Sequence, residues 1–271
     1  MSRENHVRSL QGESARLNVR GAIAILTNEL ARFFRTVFGS ILSPVLTTSL
    51  YIVVFGAAIG KRMDPSQFGG ATYGAFIVPG LIMLTLLSES TSNASFGIYM
   101  PRFTGAIYEL LSAPVGVLET LVGFVGAAAL KSLIIAGIIM LTAMLFVDYS
   151  IAHPLYAAGY IVLVASAFAL FGFILGLWAD GFEKLQIVPL LILTPLTFLG
   201  GTFYSVKQLP EPWGTIAQFN PIFYLISGLR WTFIGHSDVP IRLSLVCTVG
   251  FVVLCIAVIA FIFRTGWRLR E

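Results

Sequence analysis

Runs of about twenty apolar residues, separated by short polar or Pro/Gly-rich stretches, set the pattern of this chain. A helix rises 1.5 Å per residue, so about 20 residues cross a hydrocarbon core of roughly 30 Å. Six segments meet that length. The first runs from near Phe38 to Ile59 and is closed by Lys61 and Arg62. The second runs from about Phe76 to Phe96 and carries a polar cluster, Ser88-Glu-Ser-Thr-Ser-Asn93. The third lies between Glu119 and Phe146, and the fourth between Tyr156 and Trp178. A fifth starts near Ile187 and loses helical character after Pro195, at Gly200-Gly201, and the last runs from about Leu243 to Phe263.

Segments between and before the spans carry their own patterns. Ile23, Leu26, Leu30, Phe33 and Val37 repeat at three- and four-residue spacing, with Asn28, Arg32 and Arg35 on other faces. This predicts an amphipathic helix lying in the headgroup region, the other reading being a longer, tilted first span. Arg3, Arg8, Arg16, Arg20, Arg32 and Arg35 are spread through residues 1–37, unlike a signal peptide's short basic patch followed at once by an apolar core. The stretch Tyr99 to Pro114 is too apolar for a solvated linker and too polar to span, which predicts a short helix from about Gly105 to Ala113, stopped before Pro114. Leu199 to Pro221 breaks at Gly and Pro yet stays aromatic, and Ile222 to Ile234 is helical but short. A pair of re-entrant or surface-lying half-helices accounts for both, because non-helical backbone at membrane depth must be buried in protein.

Composition agrees. Of 271 residues, 57% are hydrophobic and 11% charged, against roughly 25% charged in a soluble domain. With six spans and the N-terminus inside, eleven of the seventeen Lys and Arg fall on the inner side, which predicts both termini in the cytoplasm. The net charge of +4 reflects that bias, and nucleic acid is not expected among the partners.

Catalytic and metal-binding patterns are missing. There is no His-Glu-x-x-His, Cys-x-x-Cys or dinucleotide fingerprint, and His6, His153 and His236 are scattered. Gly56-Ala-Ala-Ile-Gly60-Lys61-Arg62 has one residue too few between its glycines, and no Ser or Thr after its lysine, for a phosphate-binding loop. Its Gly-x-x-x-Gly spacing, like Gly172 and Gly176, reads as close helix packing. Cys247 and Cys255 lie about 12 Å apart along one helix, beyond disulfide reach, and read as packing residues. Ionisable residues within a span are functional candidates because burying them is costly. Glu89, with Asn93 in the same polar run, is a candidate for a substrate pathway or gate, or else a hydrogen-bonded structural carboxylate. Lys131 sits a few turns into the third span, within reach of the interface by snorkelling.

Four stretches carry a family likeness: Phe76-Ile-Val-Pro-Gly-Leu-Ile-Met83, Tyr108-Glu-Leu-Leu-Ser-Ala-Pro-Val115, Leu193-Thr-Pro-Leu-Thr-Phe-Leu-Gly-Gly-Thr-Phe-Tyr204 and Phe219-Asn-Pro-Ile-Phe-Tyr-Leu-Ile-Ser-Gly-Leu-Arg230. The chain resembles an ABC-2 type permease, the membrane subunit of a bacterial ATP-binding-cassette exporter. The resemblance implies an all-α membrane protein of six transmembrane helices with an N-terminal interfacial helix, a cytoplasmic coupling helix and an outer re-entrant hairpin before the last span. The organisation expected is a tail and interfacial helix over 1–37, a six-helix domain over 38–264 and a basic tail over 265–271. By position, Arg102, Glu109, Leu110, Leu111 and Pro114 fall in or beside the coupling helix that docks on a separate ATPase subunit. The expected assembly is a permease homodimer in the inner membrane, with no catalytic residue, metal or cofactor of its own; ATP and Mg²⁺ would belong to the partner. Drugs, lipids and saccharides are the cargo classes the resemblance allows. The alternative is an ion-coupled secondary transporter, but such proteins usually show paired broken helices with mid-membrane carboxylates, and only one broken region and one central acid occur here. A membrane-embedded enzyme would need a cluster of His, Asp or Glu at membrane depth.

Overall fold

The computed structural model describes residues 18–106 and 115–265, and all regular structure within them is helical. Six helical stretches are long and apolar enough to cross a membrane: Val37–Gly56, Tyr73–Thr104, Val117–Ala143, Pro154–Trp178, Phe182–Leu199 and Ile241–Thr265. Each apolar run of the sequence therefore becomes one span, although several bounds move.

Helix α1 (Val19–Arg35) precedes the spans and is capped by Asn18, whose Oδ1 accepts from the Gly21 N–H. Thr36 breaks it from α2 (Val37–Tyr51), which contains Pro44 and continues as a π-helical stretch, Ile52–Ile59. The second span, α3 (Tyr73–Thr104), exceeds the expected Phe76–Phe96 at both ends. Thr72 caps its start and Gly105, in the left-handed region at φ 78°, ends it. Gly105 is thus the stop of α3, and the short helix expected from there to Ala113 lies almost wholly outside the described residues. Helices α4 (Val117–Ala143) and α5 (Pro154–Trp178) form the third and fourth spans.

The fifth span starts at Phe182, earlier than Ile187, as α6 (Phe182–Ile187), a π-helical turn (Val188–Leu193) and α7 (Thr194–Leu199). Pro189 cannot donate to the ladder, and the wider turn accommodates it without ending the span. Beyond Gly201 (φ 88°) come α8 (Trp213–Gln218), α9 (Pro221–Ile234) and the last span, α10 (Ile241–Thr265).

The core is built on α3 and α5. Ile77, Leu81, Ile82 and Leu86 of α3 are buried, as are Val164, Ala165 and Ala169 of α5. A Cβ on Gly172 would lie 2.8 Å from the Thr91 Cα, and one on Gly176 2.9 Å from the Ser95 Cα. Only glycine lets the two backbones meet there, so the Gly-x-x-x-Gly reading of this pair holds. Cys247 and Cys255 are free, on one helix.

Helix α1 is amphipathic as expected, but its buried face is shifted. Ile25 and Phe33 are buried while Ile23 is exposed. The backbone at Gly123 makes room for Ile25, and Leu26 reaches Gly126. Going along α1, Asn18 meets Glu119, Ile25 meets Gly123 and Phe33 meets Lys131. Contacts ascend in both helices, so α1 runs alongside the first half of α4 in the same direction. Helix α9 similarly lines α5: Ile222 lies with Phe168 at one end, and the Thr232 and Phe233 carbonyls accept from the His153 and Ala152 N–H groups at the other.

Candidate functional site

Beside an exposed pair, Lys184 with Asp180, charged side chains gather in two clusters among the described residues, and the first joins α1, α3 and α4. Glu89 and Asn93 are one turn apart on α3, and the Asn93 amide donates to Glu89 Oε2 at 3.1 Å. Lys131, about 21 Å along α4 from Val117, donates to Asn93 Oδ1 at 2.5 Å. Asn93 thereby bridges a carboxylate and an ammonium. From α1, Arg32 pairs with Glu29, and the two lie against Gly97 of α3. The Lys131 Nζ stands 5.0 Å from the Phe33 ring centre and the Arg32 guanidinium carbon 5.6 Å from that of Phe96. Both are cation–π contacts, favoured where water is scarce.

These groups surround a cavity of about 280 Å³. Glu29, Arg32, Asn93 and Lys131 line it with Thr36, Ser92 and Gln186, and Phe33, Phe96 and Phe124 supply an aromatic wall. Burial pushes the Glu29 carboxyl above its ordinary range, while Arg32 and Lys131 pull it back. Two carboxylates and two cations make the cluster electrically neutral when all are ionised. The arrangement presents polar and charged side chains to a cavity between helices, with no nucleophile–base pair among its described residues. Among the described residues, no three His, Cys, Asp or Glu side chains group as a metal site.

The second cluster lies at the start of α3, where the break after α7 meets α9. Arg230 donates from Nη2 to the Gly201 carbonyl at 2.6 Å and from Nη1 to Asp238 Oδ2 at 3.4 Å. Asp238 Oδ1 accepts from the Ser205 hydroxyl at 2.5 Å. The guanidinium carbon stands 3.8 Å from the Phe76 ring centre, and the Arg230 and Asp238 side chains are 1% and 5% exposed. Tyr73 adds a hydrogen bond to the Phe203 carbonyl at 2.9 Å. This cluster ties the loop after α7, helix α9 and the approach to α10 onto the start of α3.

Arg102 occupies a third position. Its Nη1 donates to the carbonyls of Gly176 at 3.0 Å and Leu177 at 2.7 Å, the last turn of α5. A cation there satisfies carbonyls left without helical partners and suits the negative end of the helix dipole. Glu109, Leu110, Leu111 and Pro114 lie outside the described residues. Of the residues singled out in the sequence, the structure therefore joins Glu89 to Asn93 and adds Lys131, while Arg102 stands apart at the end of α5.

From the sequence, Arg32 falls on the polar side of an amphipathic helix, Glu29 is not singled out, and Arg230 stands only at the end of a family-like stretch. The spacing of Glu29 and Arg32 at i and i+3 is a sequence signal for their pairing. Nothing local marks Asp238 as the partner of Arg230.

The family model for the ABC-2 type transporter matches residues 21–234. The chain is 37% identical to the "Inner membrane transport permease YadH" of Escherichia coli strain K12, covering 92% of this chain and 93% of that protein. It is 27% identical to "Nodulation protein J" of Rhizobium leguminosarum bv. viciae, covering 83% and 87%, and 25% identical to the protein of that name in Rhizobium meliloti strain 1021, covering 92% and 93%. With four-fifths of its length inside the family match and a relative that similar end to end, the chain belongs to the ABC-2 type transporter family.

Proposed function

We propose that this chain is the permease subunit of an ATP-binding-cassette exporter in a bacterial inner membrane, working as a dimer with separate ATPase subunits. The family match over residues 21–234 carries this reading, because it takes in the whole segment between α3 and α4. In this reading that segment, with Glu109, Leu110 and Leu111, docks on the ATPase, and Arg102 ties the end of α3 to α5. ATP and Mg²⁺ act in the partner. Closure of the ATPase on ATP favours one membrane conformation over the other by differential affinity.

Topology follows the basic residues. Arg20, Arg102, Lys184 and Arg264 sit at the end of the bundle where the described chain begins and ends, which we place in the cytoplasm. The name of the Escherichia coli relative supports the inner membrane. Helices α8 and α9 then form the outer re-entrant hairpin. A drug, a lipid or a saccharide is the cargo class.

Affinity purification of the protein from its native membranes in mild detergent, with Glu109→Arg in parallel, tests the assembly. We expect a P-loop ATPase to accompany the wild type and to be lost from the variant. A wild type that carries no ATPase, and moves solute on an ion gradient alone, would replace this reading by an ion-coupled carrier.

A further inference from the structure

The cavity between α1, α3, α4 and α6 has a donor surplus. Lys131 has three N–H donors and Arg32 five. Among the described residues, Lys131 hydrogen-bonds to Asn93 and Arg32 to Glu29. The carboxylates are already engaged, Glu29 by Arg32 and Glu89 by the Asn93 amide. Ser92 and Gln186 on the same wall bring further donors. What the cavity lacks is an acceptor-rich anion, and Arg32 and Lys131 reach it from two different helices. Tetrahedral oxygens suit such divergent donors, since one group can face both cations at once.

The surroundings of the cavity name the source. Gln186 belongs to α6, and along this span Phe182, Ile187, Leu190 and Leu191 are exposed apolar residues. On the other side Phe34 and Phe38 are exposed, the latter by 87%. An apolar path for hydrocarbon chains thus leads away from a polar cavity at membrane depth.

We propose that this cavity binds the phosphate group of a membrane phospholipid, held by Lys131 and Arg32, with its acyl chains lying along the exposed faces of α2 and the fifth span. The site belongs to the chain itself and does not depend on an ATPase subunit, so its test and that of the exporter reading fail separately.

Native mass spectrometry of the purified full-length protein, with any subunits that accompany it, measures the site directly. The probes are phosphatidylglycerol, phosphatidylethanolamine, diacylglycerol with the same chains, and glycerol phosphate. Both phospholipids should bind about tenfold more tightly than diacylglycerol, and Lys131→Gln or Arg32→Gln should each remove at least about fivefold of that preference. Lys131→Arg should keep it. Arg32 is 37% exposed, so its variant tests the site even where Lys131→Gln fails to fold. Diacylglycerol binding as tightly as phospholipid would overturn the proposal in favour of a purely apolar crevice. An unchanged preference in Arg32→Gln would reduce the bound lipid to the ordinary annulus. Glycerol phosphate binding as tightly as the phospholipids would overturn the lipid source and leave a soluble phosphate ester as the occupant.

Discussion

Two charged clusters sit on α3, one at its start and one at its middle, and they are built on opposite principles. Around Arg230 the charges are sealed in: both partners are almost wholly buried, a carbonyl and a hydroxyl complete the geometry, and an aromatic face covers the guanidinium. Around Lys131 the charges are half-open: Arg32 is 37% exposed, and Glu29, Arg32 and Lys131 line a cavity as well as making their own pairings. Desolvating an ion pair costs several kcal/mol per ion and is recovered only with near-complete pairing. The sealed cluster comes close to that condition, with the Arg230 Nε its one guanidinium nitrogen lacking a hydrogen-bond partner. The open cluster does not, and it keeps donors available for something that arrives.

Breaking the sealed cluster should have the largest effect. Arg230→Met leaves Asp238 buried without its counter-charge and should cost about 3–5 kcal/mol, read as loss of folded protein in detergent. Adding Asp238→Leu should recover a large part of that loss; no recovery would mean that the hydrogen bond to Gly201, and not the charge pair, holds the region. Next comes the seam between the clusters. Gly172→Val forces α3 and α5 apart and should cost about 1–3 kcal/mol in thermal unfolding. At the open cluster the same kind of measurement should give less. Asn93→Ala removes the acceptor of Lys131 and should cost about 1–2 kcal/mol, since the ammonium retains access to the cavity.

Arg32→Gln should change stability by less than about 1 kcal/mol, because the pair it breaks is partly exposed. A loss as large as that of Arg230→Met would erase the contrast between the two clusters. The smallest expected effect is the sharpest in sign. Burial raises the Glu29 carboxyl, so its contribution to stability is complete below the ordinary carboxylate range and fades as pH rises through the raised value. Glu29→Gln should flatten that decline in melting temperature just above the ordinary range; a steeper decline would contradict the burial.

The spans were legible in the sequence because a hydrocarbon solvent imposes length and apolarity locally, one segment at a time. Their ends were less so. The start of α3 at Thr72 and its stop at Gly105 depend on capping geometry, and the early start of the fifth span depends on a π-helical turn at Pro189. Glu89 and Asn93 were visible as a pair because they lie at i and i+4 on one helix. Lys131 joins them across 38 positions, and Arg230 bonds Gly201 across 29. Such partners follow from which helices pack together, which hydropathy does not encode. The buried face of α1 was missed by a related cause: Ile25 is inside because Gly123 leaves room for it, a property of another helix.

Gly172 and Gly176 set α3 and α5 at backbone distance, with no side chains between them to exchange rotamers. Two helices in such contact cannot slide by repacking; they separate altogether or stay together. In a protein that alternates between conformations, this pair is then the frame of reference, and the other spans are what shifts around it. A covalent tether across that seam would be silent, whereas the same tether from α3 to the fifth span would arrest the cycle.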